Sequence, residues 1–170
     1  HVDFGEVIAS HLEAVAFVAE ATRVPVGRRF ATVLTSSAGD PLDKTYYQTV
    51  KGMVTPLDIL EPGGTLIVAS ACSEGFGSHE FRASQSRLVE LGPDAFLQTL
   101  LAKRFADVDE WQTEMQLKPM RAGRVQLYTT GLTGADRELT GVELVESVEA
   151  ALERALAEAG DRDVAVVPEG

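Results

Sequence analysis

The fold is decided by the run Thr65-Leu66-Ile67-Val68-Ala69-Ser70, which carries no charge and does not alternate between apolar and polar residues. Such a run is typical of a strand covered on both faces. Glu61-Pro62-Gly63-Gly64 directly before it predicts a turn. Upstream, residues 30–35 predict a strand and residues 44–60 a helix, in which Pro56 either makes a kink or begins a second short helix. Strand, helix, turn and buried strand form a βαβ unit.

The pattern continues on both sides of this unit. Residues 8–23 place Ile8, Leu12, Val15 and Ala19 at helical spacing with acidic residues between them, which predicts an amphipathic helix. Further helices are predicted at residues 79–91, 94–105, 111–120 and 140–159, and further strands at 124–129 and 164–167. Alternating strands and helices predict a single α/β domain over residues 1–170, with a largely parallel or mixed sheet covered by helices.

The composition excludes several classes of function. With 170 residues and 45% hydrophobic content, the chain can bury a core of its own. A net charge of −11 would repel nucleic acids and anionic membranes, and no apolar stretch is long enough to cross a bilayer. We therefore expect a cytoplasmic protein. The single cysteine, Cys72, excludes an internal disulfide framework. The first residue is His1 rather than Met, which leads us to expect a fragment or a processed product.

The most informative polar segment follows the first predicted strand of the unit. In a helix, Tyr47, Gln48 and Lys51 lie on neighbouring turns. Ligands of open α/β sheets bind beyond the carboxyl ends of strands, where the first turn of the next helix offers free N–H groups. A phenol, an amide and a cation at this edge could hold a carboxylate and a hydroxyl. The alternative is that Lys51 is solvated and Tyr47 packs at the edge of the core.

Other polar residues give weaker signals. The glycines of Glu74-Gly75-Phe76-Gly77-Ser78 favour a tight turn or a close approach to a neighbour over phosphate binding, because a third glycine is missing. His11 and His79 are expected to be surface residues, and Cys72 a small buried side chain. Trp111, the only tryptophan, either packs in the core or forms an apolar wall beside a small-molecule site.

A family resemblance adds to this interpretation. Tyr47-Gln48-Thr49-Val50-Lys51-Gly52, Glu61-Pro62-Gly63-Gly64, the strand from residue 65 and the Glu74-Gly75-Phe76-Gly77 loop resemble the C-terminal domain of nickel-dependent lactate racemases, over about residues 30 to 130. The resemblance implies that Lys51 binds the carboxylate of a 2-hydroxy acid and that Gln48 adds an amide hydrogen bond. It also implies that Tyr47 and Trp111 line the same pocket.

In that family a histidine removes the hydroxyl proton and the α-hydride passes to a nickel-pincer nucleotide, giving a keto acid that takes the hydride back on either face. The catalytic histidines, the lysine that tethers the cofactor and the nickel ligand belong to an N-terminal domain whose motifs this sequence lacks. We therefore expect a C-terminal, substrate-side domain with no catalytic residue and no metal of its own. It would be inactive without its N-terminal partner domain.

Two other functions are weighed against this one. A non-catalytic ligand-binding or interaction module could use the same α/β scaffold. A Rossmann dehydrogenase is disfavoured, because the three-glycine fingerprint is missing. The resemblance leaves open whether the substrate is lactate or a larger hydroxy acid, and whether His79 or the loop at residues 74–78 contacts the cofactor.

Overall fold

The computed structural model describes all residues from His1 to Gly170. Its helices are α1 (Val7–Thr22), α2 (Tyr46–Val54), α3 (His79–Leu91), α4 (Pro93–Leu101), α5 (Glu110–Ala122), α6 (Ala135–Leu139) and α7 (Val148–Ala159), and a short 3-10 helix (Thr55–Ile59) continues α2. Its strands are β1 (Phe30–Ser36), β2 (Leu60–Ala69), β3 (Arg124–Tyr128), β4 (Glu143–Val145) and β5 (Val164–Val167). None of the helices combines the length and the apolar character that a bilayer crossing requires.

The five strands form one sheet in the order β4-β3-β2-β1-β5, and every neighbouring pair is parallel. The prediction of an α/β domain with a largely parallel sheet is confirmed. β2, the strand that carries the apolar run, lies at the centre of the sheet. Its residues Leu66, Ile67 and Val68 are completely buried, as expected for a strand covered on both faces.

Successive residues of the central strands point to opposite faces of the sheet. On one face, Val33, Leu66 and Val68 pack in the main core with side chains of α2. On the other face, Ile67 packs against Ala151 and Ala155 of α7. The core therefore has a helix layer on each side of the sheet, and the carboxyl ends of β1, β2 and β3 meet at one edge.

The segment Glu61-Pro62-Gly63-Gly64 is not a turn before the strand, as its sequence predicts, but an irregular part of β2 itself. Phe30 pairs with Leu60, and the regular register resumes where Thr32 pairs with Thr65. The extra residues bulge out of the strand, and Gly63 makes this possible with a φ of +79°. The glycines thus bend the chain locally while the ladder continues on both sides of them.

The predicted helix over residues 140–159 is wrong in its first half. Residues Glu143–Val145 form the edge strand β4, and α7 begins only after Ser147, whose side chain accepts a hydrogen bond from the Ala150 N–H. Val148, Ala151, Leu152 and Ala155 form an apolar stripe at helical spacing. Leu144 lies four residues before Val148 and fits the same spacing by coincidence, so the pattern predicted a helix where the chain forms a strand. Gly160 ends α7 with a left-handed backbone.

The remaining differences concern element ends. The predicted helix 44–60 begins at Tyr46 and passes into the 3-10 helix next to Pro56, which agrees with a second short helix at that proline. The predicted helix 94–105 ends at Leu101. Helix α6 was not predicted, because five residues are too few to show a periodicity.

Candidate functional site

Helix α2 begins directly beyond the carboxyl end of β1 and carries three of the predicted site residues. Thr45 caps it, since its side chain accepts a hydrogen bond from the Gln48 N–H at 3.4 Å. Asp43 connects this entry to the end of β2, because its carboxylate accepts from the Ala71 N–H at 2.9 Å. The start of α2 is therefore fixed to the sheet edge where ligands of α/β proteins bind.

The first turn of α2 does not offer free backbone N–H groups to a ligand, contrary to the prediction. The N–H of Tyr46 donates to the Gly75 carbonyl at 3.0 Å, and the N–H of Tyr47 donates to the Phe76 carbonyl at 3.1 Å. The loop after β2 thus occupies the positions that an anion would need. Only side chains of α2 therefore remain available to a ligand at this edge.

Tyr47 stands at the centre of an aromatic and cationic group. Its ring meets those of Trp111 and Phe81 edge to face, with centroid distances of 6.1 Å and 5.2 Å. The Lys51 ammonium lies 5.2 Å from the centroid of the Tyr47 ring, within the range of a cation–π contact. Lys51 and Trp111 therefore contact the same tyrosine.

The polar ends of the Gln48 and Lys51 side chains form no hydrogen bond or ion pair within the chain. Lys51 is exposed, and no carboxylate lies within 4.0 Å of its ammonium. The half-buried Gln48 makes hydrogen bonds through its backbone but none through its side-chain amide. Because the two residues are three positions apart in α2, their side chains lie on the same side of the helix.

Helix α5 packs against α2 and contacts it through polar side chains. The Gln112 side chain donates to the Tyr47 carbonyl at 2.6 Å. The Tyr46 hydroxyl donates to the Thr140 carbonyl at 2.8 Å and lies 3.0 Å from Oε1 of Gln116. Burial raises the pKa of Tyr46 well above its usual value, so this hydroxyl stays protonated. These contacts fix the helix that carries Gln48.

Asp109, the residue before α5, connects the loops on either side of Tyr47. Its carboxylate accepts a 2.6 Å hydrogen bond from Ser78, and its backbone is left-handed with a φ of +61°. Burial, followed by the negative charge of Asp109, raises the pKa of Tyr47 above its usual value.

The glycine loop comes close to Tyr47 at Gly77. A side chain at this position would not fit, because a Cβ there would lie 3.0 Å from Cβ of Tyr47. The expected close approach of this glycine loop to a neighbour is confirmed.

The surface around these residues is open. One side of Tyr47 borders a shallow depression that is also lined by Thr45, Glu74, Gly77, Ser78 and Asp109. Neither Gln48, Lys51 nor Trp111 lines this depression. The predicted site residues thus share one neighbourhood through Tyr47 but do not enclose a pocket.

The remaining candidates lie away from α2's polar side or are buried. His11 and His79 are exposed. Cys72 is buried as expected, with its Sγ 3.3 Å from the Thr49 hydroxyl. No group of three or more His, Cys, Asp or Glu side chains is placed to hold a metal ion.

Sequence reasoning missed Asp109, Gln112 and Gln116, the residues that support the site. The only sequence signal was the spacing of Gln112 and Gln116, which are one helical turn apart in a predicted helix; the structure adds that both are completely buried. Buried amides at such spacing indicate a polar contact with another element. Asp109 gave no such signal within the acidic run that precedes Trp111.

Comparisons with known proteins point in one direction. The family model for the lactate racemase C-terminal domain matches residues 28–170. A lactate racemase from Thermoanaerobacterium thermosaccharolyticum is 38% identical over 72 residues, which are 42% of this chain and 17% of that protein. A lactate racemase from Lactiplantibacillus plantarum is 28% identical over 171 residues, which are 98% of this chain and 39% of that protein.

The structure of the lactate racemase apoprotein from T. thermosaccharolyticum has the same fold, with a TM-score of 0.79 at 23% sequence identity. The match covers 93% of this chain and 38% of that one. This chain therefore spans well under half the length of the relatives and of the solved structure that it matches.

Proposed function

Because this chain belongs to the lactate racemase C-terminal domain family, we propose that it is the substrate-side domain of a racemase or epimerase of lactate or another 2-hydroxy acid. The observation that carries the proposal is the pair Gln48 and Lys51. Both lie on one side of α2 at the carboxyl edge of the sheet, and neither side-chain end forms a hydrogen bond or an ion pair within the chain.

Each residue has a physical role in this proposal. Lys51 supplies a positive charge for the substrate carboxylate, in a charge-assisted hydrogen bond. Gln48 supplies an amide that can bind the carboxylate or the hydroxyl. Tyr47 steadies the Lys51 ammonium over its ring. Together with Trp111, which is 47% exposed, it forms an aromatic wall beside the small ligand.

The chemical step belongs to another part of the parent protein in this proposal. The side chains of this chain do not form a nickel site, so no step of the reaction is assigned to them. Hydride transfer through a keto acid, and the nickel-pincer nucleotide that would perform it, are assigned to a preceding domain that closes over Gln48 and Lys51. A cytoplasmic location remains a prediction from the sequence.

A titration of the 170-residue chain with D- and L-lactate, followed by NMR, tests the proposal. We expect saturable shifts of the Gln48 and Lys51 resonances with a Kd of roughly 1–10 mM, because a half-open site immobilises and desolvates little of the ligand. Lys51→Ala should abolish the shifts. Lys118→Ala, which removes an exposed lysine of α5 without an ion pair, is the matched control. Equal binding by both variants, or no shift in α2, would contradict the proposal.

A further inference from the structure

Helix α1 presents a continuous apolar face to solvent. At 100° per residue, Val7, Ile8, Leu12, Val15 and Val18 fall on one side of the helix. Their side chains are between 49% and 79% exposed. Glu6, Glu13 and Glu20 follow each other at seven-residue spacing on the opposite side. We call the five apolar residues the α1 apolar face.

Little of the chain covers this face. No residue of α1 is buried, and α1 makes no extensive contact with any strand or other helix of the domain. The helix also has a modest intrinsic stability, because four of the five residues of the face are β-branched and lose side-chain freedom in a helix. A helix of 16 residues needs packing of its apolar side to be stable in water. We therefore expect the exposed apolar side of α1 to pack against another protein surface.

The comparisons indicate where that partner comes from. The family domain begins at residue 28, after α1 has ended at Thr22. The alignment with the L. plantarum lactate racemase covers 98% of this chain, which has to include α1, yet only 39% of that relative. The counterpart of α1 thus lies at the junction between the family domain and the remaining chain of the relative.

We propose that the α1 apolar face is the docking surface for the second domain of a lactate racemase-type protein. The surface that receives it is an apolar groove without charges, and Glu13 and Glu20 stay in solvent on the far side. This inference rests on the two-domain arrangement of the proposed function. It adds the surface through which the cofactor-bearing domain is attached to the substrate-side domain.

Hydrogen exchange of the α1 amides tests the docking surface. The first sample is the 170-residue chain, and the second is full-length L. plantarum lactate racemase in which this chain replaces the 171 matched residues. We expect rapid exchange of α1 in the first sample and about 100-fold slower exchange in the second, since a packed helix opens less often.

A matched pair of variants locates the contact. Ile8→Gln with Leu12→Gln should speed exchange in the full-length protein by about tenfold or more, because it places amides in an apolar groove. Glu13→Gln with Glu20→Gln introduces the same side chain on the far side of the helix and should change little. Both pairs use a residue that is favourable in helices.

Three results would overturn the inference. Slow exchange of α1 in the 170-residue chain at every concentration would mean that the chain covers its own helix. Protection that grows with concentration would assign the face to a second copy. Unprotected α1 in the full-length protein would mean that the second domain docks elsewhere. None of these measurements needs a substrate, so a failure of lactate binding at Lys51 is distinguished from a failure of docking.

Discussion

The Gln112 side-chain amide donates a 2.6 Å hydrogen bond to the backbone carbonyl of Tyr47 and so connects α5 to the first turn of α2. Gln112 is completely buried and Tyr47 is half-buried. The position of the Gln48 side chain thus depends on a helix that lies more than sixty residues further along the chain.

Gln112→Ala should lower the free energy of unfolding by about 1–3 kcal/mol, the usual cost of losing a buried hydrogen bond. It should also weaken lactate binding, because α2 loses its support. Denaturant unfolding and the NMR titration measure the two effects. Gln98→Ala, at an exposed position of α4, should change neither. Unaltered lactate binding by a destabilised Gln112→Ala variant would separate this contact from the site.

In a full-length lactate racemase that carries this domain, Lys51→Ala should reduce kcat/KM by the equivalent of about 1.5–3 kcal/mol, the range for a hydrogen bond to a charged group. Lys51→Arg should recover only part of it, because a planar guanidinium places its charge differently from a compact ammonium. Steady-state kinetics with both lactate enantiomers measure the change. Full activity of Lys51→Ala would remove the lysine from substrate recognition, and Lys118→Ala should behave like the unaltered protein.

Asp109→Asn should lower the pKa of Tyr47 towards its ordinary value. Burial is the larger cause of the raised pKa and remains, but the negative charge of Asp109 disappears. Asparagine tolerates the left-handed backbone at this position, so the substitution changes charge with little strain. Ultraviolet titration of the tyrosines measures the shift, with Tyr47→Phe to assign the signal. An unchanged Tyr47 titration would show that Asp109 does not act on this hydroxyl.

Glu110 should make stability depend on pH. Burial alone would raise its pKa, but hydrogen bonds from Lys103, the Asp107 N–H and Arg87 together lower the pKa below 4.5. A carboxylate with a depressed pKa stabilises the folded state above about pH 4.5, and this contribution is lost as the pH falls through the lowered pKa. Thermal melts between pH 3 and pH 7 test the argument.

Glu110→Gln should remove this pH-dependent stability, with a Tm at pH 7 about 2–4 °C lower for each kcal/mol lost. Its difference from the unaltered chain should shrink towards pH 3. Glu114→Gln serves as the control, because Glu114 forms no ion pair. A constant Tm difference at all pH values would show that Glu110 acts through packing and not through its charge.

The 170-residue chain by itself should neither bind nickel stoichiometrically nor interconvert the lactate enantiomers. Its side chains bring together no set of ligands for the ion, and the proposed chemistry resides in another domain. Metal analysis after dialysis and a chiral lactate assay check both points. Measurable turnover by the chain alone would contradict the assignment of the chemical step to another domain.

The elements with strong local signals could be predicted from the sequence. The apolar run in β2 and the left-handed stop at Gly160 are decided by neighbouring residues. Strand β4 could not be predicted, because Leu144 fits the helical spacing of the residues that follow. In the structure, pairing with β3 holds residues 143–145 as a strand, and the Ser147 side chain caps the start of α7.

The same limit holds for the candidate site. Gln48 and Lys51 are three residues apart, so helical geometry alone places them together. Asp109 and Gln112 act through contacts with Ser78 and Tyr47 that form only when α5 packs against α2. The polar support of the site is therefore a property of the tertiary structure.

The pairing of the last strand with the first has a consequence for how a ribosome makes this protein. Thr35 in β1 donates to the carbonyl of Val167 in β5, and 132 residues separate them. A nascent chain therefore exposes one edge of β1 until Val164–Val167 emerge. An unpaired strand edge can pair with a strand of another chain. Ribosomes that translate the same mRNA close to one another would carry nascent chains with the same open edge of β1. Synthesis of β5 thus closes the open edge of the strand that leads into α2.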